Sequence, residues 1–598
     1  MRLEIHVLGR PRIERNGAGA GSPKGRKPWA LLACLLLADR PPSRQALAEL
    51  LFTDADDPLG TLRWNLAELR RLLGEEAQIE GDPVVLSLPT GSYVDVRTLT
   101  GATWVEAMRV PGLGRELLEG MSFPRMAAFE AWLLTQRRHL LASAEAVLRE
   151  ATLARLASGQ AEESVALAMR LVASNPLEES FQELFIRSLV AAGDHETARR
   201  QLDACIQLFE RELGVKPGPG VLGALEARPQ ARTSVRGVAS ARARLEAGEA
   251  AVGAGAWSVG LQELRAAAAE ATATGDRWLE ARALSALGSA LVHAARGRDE
   301  EGATALHAAI SITDETGDTD VAATARVELA WIEMLRGRYE RALLWLDQAD
   351  EFTAEAPAER ARIQAVRGIC YTDTGAYGEG IGELMSSIRV AEAAGDEKQV
   401  SFSLAFLGRA RLLCGERHRA RELLDRSLGL ARSLGWTSFA PWPEAFLAEV
   451  ARQEGKPDEA ARVSEHAFAL ACQLGDPCWE GVAARGMGLA QAGSEDGQGA
   501  IERLEDASIR CVRVPDAYLW VRAYCLDALC EVAIPNRALR ARAWVQDLES
   551  LAARTGMREF LARAYLHREA LGDDSARQVA VVIGKDVDNP VLEMLLGG

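Results

Sequence analysis

Between Asp57 and Leu73 the chain sets Arg63, Trp64, Asn65, Ala67, Arg70 and Arg71 on a segment with helical periodicity. These residue types can read nucleic-acid bases. Arg donates two parallel hydrogen bonds to guanine, Asn pairs with adenine, and an exposed apolar group meets a thymine methyl. On a wheel at roughly 100° per residue, Leu59, Leu62, Leu66, Leu69 and Leu73 share one stripe and should pack inward. Gly60, Trp64, Ala67, Glu68 and Arg71 fall opposite, with Arg63 and Arg70 flanking one side and Asn65 the other. Lys24, Arg26 and Lys27 suit phosphate contacts, which fix register without reading sequence. The alternatives are a solvated surface for the arginines and a domain contact for Trp64. The surrounding elements decide between them.

Residues 3–8 alternate as a half-buried strand, and Gly9–Pro11 turn it toward a second strand near 12–15. Helical periodicity follows over 26–38, 43–52 and 57–73. Ser43 is an N-cap for the second helix, and Asp57 with Pro58 is a cap-plus-first-turn signal for the third. Val84–Leu88, the turn Pro89–Ser92 and Tyr93–Val96 read as a β-hairpin. This order is that of a winged helix-turn-helix, which presents its third helix to the major groove. The tip expected at Thr90–Ser92 is short and uncharged, so a minor-groove contact is not expected from it.

Other chemistries lack their residues. Neither Gly455-Lys456-Pro457 nor Gly584-Lys585-Asp586 completes a phosphate-cradling loop, and neither His-Glu-x-x-His nor Gly-x-Ser-x-Gly occurs. Nine cysteines, at 34, 205, 370, 414, 472, 478, 511, 525 and 530, form no Cys-x-x-Cys pair and read as buried thiols. Asp56–Asp57 and Glu75–Glu76 sit at helix ends, where carboxylates suit caps or solvated loops. No catalytic residue, metal or cofactor is expected.

The formal charge of −16 is unevenly spread. The first 100 residues hold 13 basic and 13 acidic side chains, and the remaining 498 hold 56 and 72. The N-terminal part is therefore the one least repelled by a polyanion. An acidic remainder folding back on it would compete with phosphates, an autoinhibition expected from charge alone. The alternating start Met1–His6 reads as a strand rather than a leader. The longest apolar run, Trp29–Ala38, falls short of the ~20 residues a membrane span needs. A cytoplasmic protein without a membrane partner is expected.

Beyond residue 100 the pattern is helical. Gly159 and Gly193 occupy matching turns 34 residues apart, the tetratricopeptide period. Residues 228–240 read as a linker. Past it, turn glycines recur at 297, 337, 375, 415, 455 and 493, in the triplets Arg296–Arg298 through Ala492–Ser494. A second series interleaves at Gly275, Gly317, Gly395, Gly435, Gly475 and Pro515–Asp516. Two turns per ~40 residues predict helix pairs that bury their apolar faces only by stacking, about eight of them from 240 to 565. The fold class is thus mainly α: a small α+β winged helix-turn-helix, a TPR-like α-helical bundle and a long α-solenoid.

Residues 1–97 resemble the OmpR/PhoB-type winged-helix DNA-binding domain of the Streptomyces antibiotic regulatory protein (SARP) family, in Leu3–Gly9, Lys24–Ala33 and Leu62–Gly74. Residues 98–227 resemble that family's bacterial transcriptional activator domain (BTAD), in Arg115–Gly120, Phe129–Leu133, Asn175–Glu179 and Glu212–Pro219. Residues 241–598 are similar to the superhelical TPR-like repeats of maltose-regulator-type activators. The resemblance implies a transcriptional activator that binds double-stranded DNA at promoter direct repeats and recruits RNA polymerase. A protein or small-molecule effector would act at the repeats, and the chain could form a homo-oligomer. Two departures stand out: a wing without basic residues, and no NTPase module between activator domain and repeats. The alternative is an interaction scaffold whose winged helix binds protein.

Overall fold

The computed structural model describes residues 3–225, 237–294, 297–353, 356–493, 496–514 and 517–597. Most of the expected linker (residues 228–236), Arg296, Ser494 and the Pro515–Asp516 turn lie outside them.

Strands β1 (Leu3–His6), β2 (Arg12–Arg15) and β3 (Ala18–Gly19) form an antiparallel meander. Three helices follow: α1 (Lys27–Leu37), α2 (Arg44–Leu51) and α3 (Pro58–Leu73). The expected caps are in place. Ser43 accepts from the Ala46 N–H at 3.1 Å and Asp57 from the Gly60 N–H at 2.8 Å.

The expected hairpin across residues 89–92 does not form. Instead β4 (Gln78–Glu80) pairs antiparallel with β5 (Val85–Ser87), and β6 (Tyr93–Val94) crosses back to lie parallel to β1. Val94 is buried there beside Ile5, so hydrophobic burial against the first sheet wins over local pairing. The wing tip is therefore Gly81–Val84. Asp82 accepts from the Arg44 N–H at 2.8 Å, and Arg44 Nε donates to the Gly81 carbonyl at 3.0 Å, which folds the tip onto the start of α2.

Residue 95 opens a helix, α4 (Asp95–Gly101), rather than continuing a strand. The buried Asp95 carboxylate accepts from the N–H groups of Val7, Leu8 and Val96 at 2.7–2.8 Å. Just beyond, Leu8 bridges to Leu117, and the Gly9 N–H donates to the Glu116 carbonyl at 2.8 Å. The winged helix is thus stitched to the domain that follows. That domain comprises α5 (Trp104–Ala107), the 31-residue α6 (Ala127–Ala157), α7 (Ala161–Ser174), α8 (Glu179–Ala191), α9 (His195–Glu212) and α10 (Pro219–Leu222).

From Val238 to Thr555 the chain forms eight antiparallel helix pairs, the number expected from the glycine spacing. The turn glycines at 297, 337, 375, 415 and 455 have φ between 67° and 95°, a left-handed conformation that a side chain would strain. Gly493, by contrast, has φ −70°. A second set of glycines lies inside helices. A Cβ on Gly248, Gly288, Gly368, Gly408 or Gly488 would come within 2.5–2.7 Å of the Cγ of Leu264, Leu306, Leu384, Leu424 or Leu504, so these glycines allow the two helices of a pair to close.

The array curls until its C-terminal end meets its middle. Val587 packs on Gly375, and the Asp588 carboxylate accepts from the N–H groups of Tyr377 and Gly378. α6 lies inside the curl, packed on the array helices Asp299–Thr316, Ala541–Thr555 and Ala576–Gly584. Arg149, 1% exposed, donates to Glu300 at 2.8 Å and to Glu333 at 2.6 Å. Glu150 accepts from Arg341, whose Nη1 also reaches the Ala102 carbonyl at 2.8 Å. Nearer the start of α6, Arg138 pairs with Glu549 (3.2 Å), His139 with Glu340 (2.9 Å) and Glu145 with Arg554 (3.3 Å).

Seven of the nine cysteines are buried and none is in a disulfide; Cys472, expected inside, is exposed. Among the described residues no helix is long and apolar enough to cross a membrane.

Burial pushes the Asp95 carboxyl up to about 6 from its ordinary 3.8, against the pull of its N–H donors. The folded state then holds a proton that the unfolded chain has already lost. Part of the stability of the N-terminal domain should therefore fall as pH rises from about 4 to about 6, a slope absent in Asp95→Asn. Asp95→Ala leaves three N–H groups without their acceptor and should cost about 2–3 kcal/mol, read as a lower melting temperature.

Candidate nucleic-acid interface

The geometry of α3 decides which expected contacts are available. Leu62, Leu66, Leu69 and Leu73 are buried as expected, and Leu72 joins them. With Leu72 inside and Leu59 outside, the buried stripe turns by roughly 30° from the wheel's first choice. Two expectations change as a result. Leu59, placed inward, is 42% exposed. Asn65, placed toward the duplex, is 2% exposed, and its amide donates to the Thr61 carbonyl at 2.8 Å. Asn65 therefore lies inside the core, with its amide N–H tied back to its own helix.

The outward face carries Leu59, Arg63, Trp64, Ala67 and Arg71. Trp64 is 54% exposed, an unusual position for so large an apolar ring. Arg63 is held only loosely, 3.9 Å from the capping Asp57. Arg71 is engaged by Glu68, through Nε at 3.0 Å and Nη2 at 2.8 Å. The Arg71 guanidinium and the Lys24 backbone N–H hold the Glu68 carboxyl below its usual range. Glu68 is thus a neutralised acid on the face, and Arg71 must leave it to meet a base.

Arg70 has a different role. Its Nε donates to the Ile79 carbonyl at 2.9 Å, and Nη2 reaches the same oxygen, which ties α3 to the first strand of the wing. The three cations before α1 also separate. Lys24 is exposed at the edge of the α3 face. Arg26 donates to the Ser122 carbonyl at 2.7 Å, bridging to the next domain. Lys27 lies over the Phe52 ring and pairs with Asp54 at 2.6 Å, a hydrogen bond that holds the Asp54 carboxyl low. Of the nine expected residues, Arg63, Trp64, Ala67 and Arg71 share one open face with Lys24 at its edge. Asn65, Arg70, Arg26 and Lys27 have partners within the protein.

The sequence reading missed the Arg44–Asp82 contact that sets the wing tip and the exposure of Leu59. Leu72, three residues beyond Leu69, was the available signal for the second.

The array does fold back on the winged helix, but not over α3. Arg558 pairs with Asp39 at 2.5 Å, and Gln578 Nε2 donates to the Glu49 carbonyl at 2.8 Å, so docking uses the α1–α2 connection and α2. In this arrangement the array touches the winged helix while Trp64 and Arg63 remain open.

The different duties of the arginines make a stability test. Arg70→Ala should lower stability by about 1–2 kcal/mol and speed amide exchange in β4 and β5, since a charged hydrogen bond to the wing is lost. Arg63→Ala and Arg71→Ala should stay within about 0.5 kcal/mol of the parent, as exposed substitutions do.

Residues 97–228 match the family described as bacterial transcriptional activator domain. The chain is 26% identical over 240 residues to the transcriptional regulator RedD of Streptomyces coelicolor, covering 36% of this chain and 67% of RedD. Among solved structures it is similar to Mycobacterium tuberculosis EmbR in complex with a low-affinity phosphopeptide, at 19% identity and a TM-score of 0.30. That match covers 38% of this chain and 64% of EmbR, less than two thirds of its length. It is also similar to NprR in complex with its cognate peptide NprX, at 15% identity and a TM-score of 0.37, covering 47% of this chain and 80% of NprR. These two likenesses are too loose to transfer function. The activator-domain match and the likeness to RedD make the first part of this chain similar to transcriptional regulators of the Streptomyces antibiotic regulatory protein type, with a helical repeat array following it.

Proposed function

We propose that the chain is a cytoplasmic, sequence-specific DNA-binding activator, with α3 entering the major groove of promoter direct repeats. The observation that carries this reading is the open face of α3, where Trp64, Leu59, Arg63 and Ala67 meet solvent although the array lies close by. Arg63 is the first choice for a guanine, because its ion pair with Asp57 is long and exposed. Trp64 and Ala67 suit thymine methyl groups. Arg71 reads a base after exchanging Glu68 for it, and Lys24 meets a phosphate. In this reading residues 1–97 bind DNA, 98–227 form the activator domain that engages RNA polymerase, and 241–598 receive a protein or small-molecule effector. Two copies acting together suit direct repeats.

The wing tip adds no cation. It carries Asp82, already bonded to α2, which favours readout from the major groove. The scaffold alternative draws less support, because the inside of the array, where a partner would bind, holds α6.

A gel-shift titration of the full chain on its own upstream region tests the proposal. Expected are a sequence preference and affinity that falls steeply with salt. Arg63→Ala should cost about 1–3 kcal/mol on the preferred sequence and relax specificity at one base pair. Lys24→Ala should weaken all sequences alike and reduce the salt slope by about one. Binding with neither sequence preference nor salt dependence would sink the proposal.

A further inference from the structure

The two long faces of α6 differ in chemistry. One carries Leu133, Leu140, Ala144, Val147 and Ala151, all buried, and shares its side of the helix with Arg137. Arg137 donates to the Leu117 carbonyl at 2.9 Å, so this side faces the helix's own domain. The opposite side, at helical spacing, carries Thr135, Arg138, His139, Glu145, Arg149 and Glu150 beside the buried Ala146 and Leu153. Each of these polar residues meets a polar side chain of the array, from Tyr565 opposite Thr135 to Arg341 opposite Glu150.

The contrast with the rest of the molecule is one of proportion. Within the array, buried ion pairs such as Arg409–Asp373 also occur, but neighbouring helices meet as well through leucine, alanine and aromatic side chains, as in Gly408 on Leu424 or Phe406 on Trp442. Such contacts have nothing to gain from water. A buried ion pair does: its charges recover hydration on separation, so it contributes less to stability than an apolar contact of the same size while strictly specifying its partner. The face of α6 toward the array is therefore well matched but inexpensive to open, whereas its leucine side and the Leu8–Leu117 and Asp95 contacts hold residues 3–225 together as one unit.

We propose that the charged side of α6 is a reversible clasp between residues 3–225 and the repeat array, and that its opening frees the winged helix from the array as a unit. The docking contacts at Asp39 and Glu49 come from Arg558 and Gln578, on the two helices that follow the one carrying Glu549 and Arg554, so they part with the clasp. The clasp does not depend on what α3 binds, and the experiment reads it without DNA.

Small-angle scattering and hydrogen exchange on the full chain test it. Arg341→Glu sets a second acid against Glu150. It should enlarge the radius of gyration and speed exchange of the amides at 143–153 on the order of a hundredfold, the size expected when one partner of a buried pair is lost. Protection in the remote pair Arg417–Ser433 and Pro441–Gln453 should be unchanged. The swap Glu150→Arg with Arg341→Glu should restore compactness and protection, and Arg341→Gln serves where the reversal prevents folding. Two outcomes overturn the clasp: scattering and exchange unmoved by Arg341→Glu and Arg341→Gln, or loss of protection in the remote pair together with α6 that the swap does not repair.

Discussion

The architecture turns on one buried arginine. Arg149 sits between Glu300 and Glu333, each supplied by a different array helix, and it reaches them from a helix that belongs to the preceding domain. A charge taken out of water is tolerated only where opposite charge and hydrogen bonds meet it, so this contact admits one register of α6 within the curl. The neighbouring Glu150–Arg341 pair enforces the same register with reversed signs. The positions of the array's last helices against α2, and of α3 away from the array, follow from that choice.

The N-terminal unit obeys a different constraint. Its parts are joined by backbone groups: Asp95 gathers three amides, and the Leu8–Leu117 bridge continues the sheet into the next domain. Helix α3, the sheet and the helices that follow them therefore form one connected unit. A displacement at α6 is transmitted to α3 as a change of position, not of shape.

Much of this was legible in the residues. The glycine spacing gave the number of helix pairs because a left-handed turn has few alternatives to glycine, and caps at Ser43 and Asp57 announced themselves locally. The face of α3 was legible to within a fraction of a turn. Leu72 shifted it enough to bury Asn65 and expose Leu59, since a wheel weighs each leucine equally whereas the core does not. Strand pairing was less legible. Tyr93–Val94 could complete a hairpin with Val85–Ser87 or cross to β1, and only the buried surface beside Ile5 separates these outcomes. Ionic partners hundreds of residues apart, such as Arg138 and Glu549, leave no mark in local sequence.

That last separation bears on how the chain is made. On the ribosome α6 emerges some 400 residues before Glu549, a wait of roughly 20–80 s at ordinary elongation rates. Through that interval Arg138 and Glu145, on the side of α6 destined for the curl, lack their partners. A leucine stripe there would invite association between nascent chains, whereas Arg138, Glu145 and Arg149 keep it hydrated until the last repeats close around it.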